Sequence, residues 1–588
     1  MKNDFYGRNK KSLERFKGIS CPDVEEILND RTFTAEIAGR GDEEEERSFI
    51  ECCKKYGMYS TVIVCGFGNG ILIRKLLRMI NDNELIIVYE PYVNAFDSII
   101  REQDVTDILN NLNLYLCLGD GKTLKDSLIS LIPDGAIDKV HAMVLPDRSG
   151  AYREAEQYFR DVTDKALDAV RLRKYTFDFG RDAGERNFFA ALPKIADSYD
   201  LQAFVDIAER FFNEKDIPAI IVAAGPSLER NIGSLKAAEG KAFIIAVDSA
   251  LFRLEEEGIE YNLAVTVDRI KPLRLFGGNY FRHVPVLMNC MTPADVIERS
   301  EGICFFESTG QYSDVIDMIC EEADVPRLMR FPTGGSVACT AWSLAVKMRF
   351  KTIIWAGLDL AYTENASHIN GYFEDTRKDE EFLLQHGNVF VKDVKGNTVP
   401  TGTDMKSYLE WFNSEFINHP EINIIDATEG GAAKEGVEYL TLADAVKKYC
   451  SYDSYTDFKS LFEQVKKFFS DNQKKFFLKR VEDMAHEADA LIPEFDEYIT
   501  AYRTVGECLR RHDTNSDEFV SAYEITKKAS VVEVYHPILL RLLREMEGSS
   551  DSMYDENIPI EQVMEDTAVL LEKYRSACTR VIDYCSGI

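Results

Sequence analysis

A β-rich apolar run from Ile217 to Ala224, a Gly225-Pro226-Ser227 turn, a helical stretch and a second apolar run ending at Asp248 follow one another without interruption. That order constrains the fold more than any other part of the chain, because strand, tight turn, helix and strand in sequence build a parallel βαβ unit buried on both faces. Gly225 permits a tight turn, Pro226 lacks an N–H and suits a first helical turn, and Ser227 offers a hydroxyl beside free helix N–H groups. A helix start of this kind favours a phosphate, although the same residues also form ordinary βα turns.

The following 150 or so residues repeat the theme. Strand-like runs end in Asp248 (followed by Ser249), in Asp268 and in Asp359, and a second turn places Thr333, Gly334, Gly335 and Ser336 ahead of an apolar helix. Ligands of open parallel sheets bind outside the carboxyl ends of the strands, so the three acids are expected on one edge together with both turns. Each acid taken alone is as readily a cap or turn residue.

Ala-Gly-Pro-Ser-Leu, Ala-Val-Asp-Ser-Ala-Leu, Thr-Val-Asp, Pro-Thr-Gly-Gly-Ser-Val and Gly-Leu-Asp-Leu-Ala-Tyr-Thr followed by His368 resemble the central domain of the motility accessory factor (Maf) glycosyltransferases over about residues 170–440. The resemblance implies a sialyltransferase-type α/β domain. It also implies transfer of a nonulosonic acid, pseudaminic or legionaminic in type, from its CMP-activated donor to Ser or Thr of flagellin. The same domain family includes archaeal 6-hydroxymethylpterin diphosphokinases, so a phosphotransferase stays open, as does a non-catalytic flagellin-binding scaffold. Under the glycosyltransferase reading His368 is the general base and Tyr362 a hydroxyl donor to the departing phosphate. Gly225, Pro226, Ser227, Asp248, Ser249, Asp268, Thr333, Gly334, Gly335, Ser336 and Asp359 hold the donor. His386 and Asp359 are the next candidates for the base. The central segment contains no paired Asp-x-Asp, so no metal or other cofactor is expected.

Three domains are expected: a Rossmann-like N-terminal domain with a helical bridge (1–205), the central domain (206–450) and an all-α C-terminal bundle (451–588). In the first, Gly66, Gly68 and Gly70 follow one apolar run and Glu90 ends the next, which outlines a dinucleotide or S-adenosylmethionine fingerprint. No methyl-transfer constellation follows it, so a structural remnant and a working cofactor site both remain open. The basic bridge around Arg171, Arg181 and Arg186 reads as a solvated linker helix or an anion contact. The polar stretch from Ala361 to Asn423, with Tyr362, His368, Gly371, Tyr372, His386 and Gly402, is long enough to form a lid or substrate loop. Phe458, Leu461, Phe462, Val465, Phe468 and Phe469 fall at helical spacing, and Val531 to Met546 forms a second apolar stripe interrupted by Pro537. Such stripes pack as a bundle and offer a docking element for the helical ends of flagellin.

Charge narrows the partners. With 69 basic and 100 acidic residues the chain carries −31, which disfavours nucleic acid and anionic membranes. The 13 cysteines are scattered without Cys-x-x-Cys clusters, and there are 8 histidines, so reduced core thiols in a cytoplasm are expected rather than a metal site. No apolar run approaches 18 residues and the N-terminus is polar, so neither a membrane span nor export is expected.

Overall fold

The computed structural model describes residues 5–13, 61–79, 85–119, 121–132, 137, 139–146, 151–363, 366, 368, 389–450, 455–529, 531–547 and 559–586. The chain packs as two units: Met1–Phe179 with Glu497–Ala529 and Gly548–Glu572, and Gly180–Asp496 with Ser530–Glu547 and Lys573–Ile588. The architecture is α/β, with two parallel sheets and a helical C-terminal region. Among the described residues no helix is long and apolar enough to cross a membrane.

The first unit is built on a four-stranded parallel sheet in the order β3-β2-β1-β4, formed by β1 (Thr61–Cys65), β2 (Leu85–Glu90), β3 (Leu114–Leu118) and β4 (Val140–Val144). Continuous apolar runs such as Leu-Ile-Ile-Val-Tyr form β2 because both faces of the sheet are covered. Ile63, Ile87, Leu116 and Phe159 sit fully buried in its core.

The second unit carries an eight-stranded sheet in the order β14-β13-β10-β5-β6-β7-β8-β9. Its strands are β5 (Ala219–Val222), β6 (Phe243–Val247), β7 (Leu263–Thr266), β8 (Val286–Asn289), β9 (Cys304–Glu307), β10 (Thr352–Ala356), β13 (Asn423–Asp426) and β14 (Glu438–Tyr439). Every pairing in it is parallel. From β5 the chain steps outward through β6, β7, β8 and β9, then returns to lay β10 on the other side of β5. The strand order therefore reverses between β5 and β10, where an open α/β sheet leaves a crevice. Helix Val337–Lys347 leads into β10 and crosses β5, β6 and β7, so its N-terminus lies at their carboxyl edge.

Two expectations about elements change. The polar stretch expected as a lid contains, where described, an antiparallel hairpin of β11 (Val389–Lys392) and β12 (Thr398–Thr401) followed by helix Thr403–Asn418. Phe412 and Phe416 of that helix pack on Trp355 and Trp342, so this part is core structure. The Gly371 and Tyr372 portion lies outside the described residues. The Phe458 to Phe469 stripe is not one helix of a bundle: only Lys459–Phe462 is helical, and Lys467 bridges to Tyr199 as a strand would. Its aromatics instead close the end of the central sheet, Phe462 stacking on Phe204 at 4.7 Å and Phe458 meeting Phe243 at 5.4 Å. The second stripe divides at the proline into Val532–Tyr535 and Pro537–Glu547, because proline fits the first turn of a new helix but not the interior of one.

Candidate functional site

Because the strands are parallel, Ser227 after β5, Asp248 after β6, Asp268 after β7 and Asp359 after β10 all stand at one edge of one sheet. The expected convergence is present, but the side chains divide into two groups.

The first group fills the crevice between β5 and β10. The backbone ladder continues past the strands, with Ala223 N–H donating to Ala356 O and Gly225 N–H to Gly357 O, both at 2.8 Å. Ser227 donates through its backbone N–H at 2.8 Å to Asp359 Oδ1, and its hydroxyl donates to Oδ2. The Leu228 amide turns back to Gly225 O at 3.1 Å. Every amide from Gly225 to Leu228 thus has a partner, proline having none, and the carboxylate of Asp359 occupies the anion position that the turn offers. Gly225 is required there, since a Cβ would lie 2.5 Å from Gly357 O and 2.6 Å from Asp359 Cγ. Burial pushes the Asp359 carboxyl up, opposed by both bonds from Ser227 and by Lys434. Lys434 itself is fully buried 2.9 Å from Asp426 at the end of β13, and this pair fixes the 427–434 loop. Gly430 and Gly431 of that loop press on Ser227 and Asp359.

The second group lies at the ends of β6 and β7. Asp248 is fully buried and accepts the Ser249 hydroxyl at 2.9 Å and the Thr266 hydroxyl at 3.1 Å. Burial pushes its carboxyl up, and Lys271 pulls it down. Lys271 Nζ donates to Ser249 Oγ at 2.9 Å and stands 3.5 Å from Asp248 and 3.6 Å from Asp268. Asp268 is the open member, its side chain 43% exposed, and it accepts the Ile270 amide in a local turn. Tyr408, from helix Thr403–Asn418, lies in the field of Asp404, Cys339, Asp268 and Lys271, and burial pushes its phenol up. The same helix brings Trp411 against Gly334 and Tyr408 against Gly335, so the second turn borders this group. Thr333, Gly334, Gly335 and Ser336 all reach the surface, in contrast to Ser227. The Gly335 amide donates to Thr333 Oγ1 at 3.2 Å, and the Ser336 hydroxyl lies 3.1 Å from Cys339 Sγ.

Tyr362 hangs from the β12 side, its amide donating to Pro400 O at 3.0 Å, and Asp404 lies in its neighbourhood. His368 is half-buried; His386 falls outside the described residues. Lys271, Tyr408 and the Asp426–Lys434 pair were not anticipated. Lys271 had a local signal, a basic residue three positions after a strand-end acid. Tyr408 had none, because its helix lies in a stretch read as a lid.

In the first unit the glycine fingerprint is also internally satisfied. Glu90 accepts the amides of Phe67 and Tyr92, each at 2.8 Å, and the Tyr152 hydroxyl at 2.6 Å. Tyr152 in turn accepts the Gly68 amide at 2.9 Å, and its ring covers Gly66 so closely that a Cβ there would meet it at 2.7 Å. The acid and the loop amide that a ribose or phosphate would engage are held by a tyrosine of the chain itself.

The fold and edge geometry define an open, doubly wound α/β protein with its crevice at the strand-order reversal. Residues 186–365 match the family of 6-hydroxymethylpterin diphosphokinase MptE-like domains. The solved Maf glycosyltransferase of Magnetospirillum magneticum AMB-1 is similar at 15% identity and a TM-score of 0.46, over 98% of this chain and 87% of that one. No curated protein matches.

Proposed function

We propose that this chain is a glycosyltransferase that moves a nonulosonic acid of the pseudaminic or legionaminic type from CMP to a Ser or Thr hydroxyl of flagellin. One observation carries the reading beside the motif resemblance: Asp248, Asp268, Lys271, Tyr408 and the surface turn Gly334–Ser336 meet at the carboxyl edge of a single parallel sheet. The donor's phosphate belongs at this second group, since the amides of the first turn are engaged by Asp359 and Gly357. Asp268, open to the surface, meets the ribose or sugar hydroxyls. Asp248 and Ser249 hold Lys271, and Asp359 and Ser227 hold the crevice wall. In this reading Tyr362 donates its proton to the departing phosphate. His368 removes the proton of the acceptor hydroxyl, general-base work that imidazole commonly performs. In this reading the transition state is oxocarbenium-like and the reaction proceeds without a metal, the central segment having no paired Asp-x-Asp.

The family match over residues 186–365 favours a second reading, transfer of diphosphate from ATP to a hydroxymethylpterin. Incubating the purified chain with flagellin and CMP-pseudaminic or CMP-legionaminic acid, and separately with 6-hydroxymethylpterin and ATP, separates the two. Release of CMP with a mass shift on flagellin supports the first. Release of AMP with pterin diphosphate replaces it with the second.

A further inference from the structure

Two strand-end carboxylates, Asp248 and Asp268, face the position proposed for a donor that is itself an anion, on a chain whose net charge is −31. Carboxylates in this arrangement ordinarily recruit a divalent cation to receive a phosphate. Here an ammonium of the chain stands between them. Lys271 Nζ lies 3.5 Å from Asp248 Oδ1 and 3.6 Å from Asp268 Oδ2, distances of ionic attraction rather than of hydrogen bonds, and donates to Ser249 Oγ at 2.9 Å. Its side chain is 8% exposed, so the charge acts where solvent screens it little. Asp248 is fixed in turn by the hydroxyls of Ser249 and Thr266, so the ammonium is aimed by a rigid support. On the other side Tyr408 borders both Lys271 and the Gly335 turn, and its hydroxyl makes no hydrogen bond among the described residues.

We infer that Lys271 is the built-in cation of this site: it neutralises the two strand-end acids and receives the phosphate of a bound nucleotide together with the Tyr408 hydroxyl, taking the place of a divalent metal. This rests on the proposed nucleotide site, and it adds the residue that sets the preference for a charged ligand.

The test compares a nucleotide with its uncharged nucleoside on the full-length chain in excess EDTA, by calorimetry. The parent is expected to bind CMP at least tenfold more tightly than cytidine without any metal. Lys271→Met, which keeps the length of the stem, is expected to lose CMP affinity by about 10- to 100-fold, the loss of one charge-assisted contact, and to leave cytidine affinity within about twofold. Tyr408→Phe should weaken CMP by a smaller factor of about 3 to 10. Equal weakening of CMP and cytidine in Lys271→Met, or unchanged CMP affinity, overturns the inference. A parent whose CMP affinity appears only on adding magnesium overturns it as well, whether or not the variant folds. If the parent binds ATP and adenosine but not CMP, the CMP-donor reading fails by itself, and the same comparison on ATP and adenosine decides for or against Lys271. A parent that binds no nucleotide overturns both.

Discussion

At the residue scale, buried acids in this chain are held by hydroxyls as much as by cations. Asp359 is the clearest case: two bonds from Ser227 satisfy a carboxylate that is 2% exposed. Ser227→Ala removes one of them and leaves a buried acceptor short of a partner. Chemical denaturation should show a loss of about 1–3 kcal/mol; a loss below about 0.5 kcal/mol would mean that Asp359 is satisfied elsewhere. Glu90 gives a pH signature. Burial pushes its carboxyl up to about 7, opposed by Tyr152 and the amides of Phe67 and Tyr92, against an unfolded value of about 4.3. The folded state therefore holds a proton that the unfolded chain has released between those values. Its contribution is fully present below the unfolded value and is lost as pH rises through about 7. Glu307, also buried, is pushed up to about 7 and acts in the same direction. Urea unfolding from pH 4.5 to 8 should show stability falling across that window, and Glu90→Gln together with Glu307→Gln should flatten the slope.

At the element scale, the 427–434 loop is an example of a connection fixed by charge. Lys434 and Asp426 form an ion pair with both side chains essentially out of water, and Gly431 of the same loop lies against the Asp359 backbone. Lys434→Ala strands a buried carboxylate and is expected to cost about 3–5 kcal/mol, whereas replacing the pair together by Met and Leu should recover most of that loss. A double-mutant cycle on unfolding free energy measures it. If the double variant is as unstable as the single one, the loop is held by its packing rather than by the pair. The same scale explains the misread elements. Helical spacing in Phe458 to Phe469 arises because aromatics cluster over a sheet end, and a cluster of close apolar residues imitates a stripe when the partner surface is unknown.

At the scale of the whole molecule, cysteines are used as core residues. Nine of the ten described cysteines are buried and none is in a disulfide, and burial pushes thiols up to about 11 at Cys117 and Cys339 and to about 12 at Cys320 and Cys450. A thiolate is the reactive form, so these four groups are protected both by access and by ionisation, and the other buried thiols by access. Titration with an aromatic disulfide reagent should leave at least nine of the 13 thiols unreacted in the native protein, and all should react in denaturant. Rapid native reaction of more than four would show that the units open more readily than their packing implies.

The parallel sheet, the strand ends and the two glycine turns were legible along the chain because they depend on local rules: apolar runs for strands buried on both faces, small residues where the backbone turns sharply, acids at strand ends. Those rules place Ser227, Asp248, Asp268, Gly335 and Asp359 on one edge without any knowledge of long-range contacts. They do not say what each group touches. That Asp359 closes on Ser227, 132 residues away, that Lys271 stands between Asp248 and Asp268, and that Tyr152 fills the glycine loop before Glu90 are consequences of strand order and helix packing. Hydrogen bonds and ion pairs act over about 3 to 4 Å in space regardless of separation along the chain. The candidate positions could therefore be named from the sequence, but which of them are occupied by the protein's own side chains and which face a ligand was decided by tertiary structure.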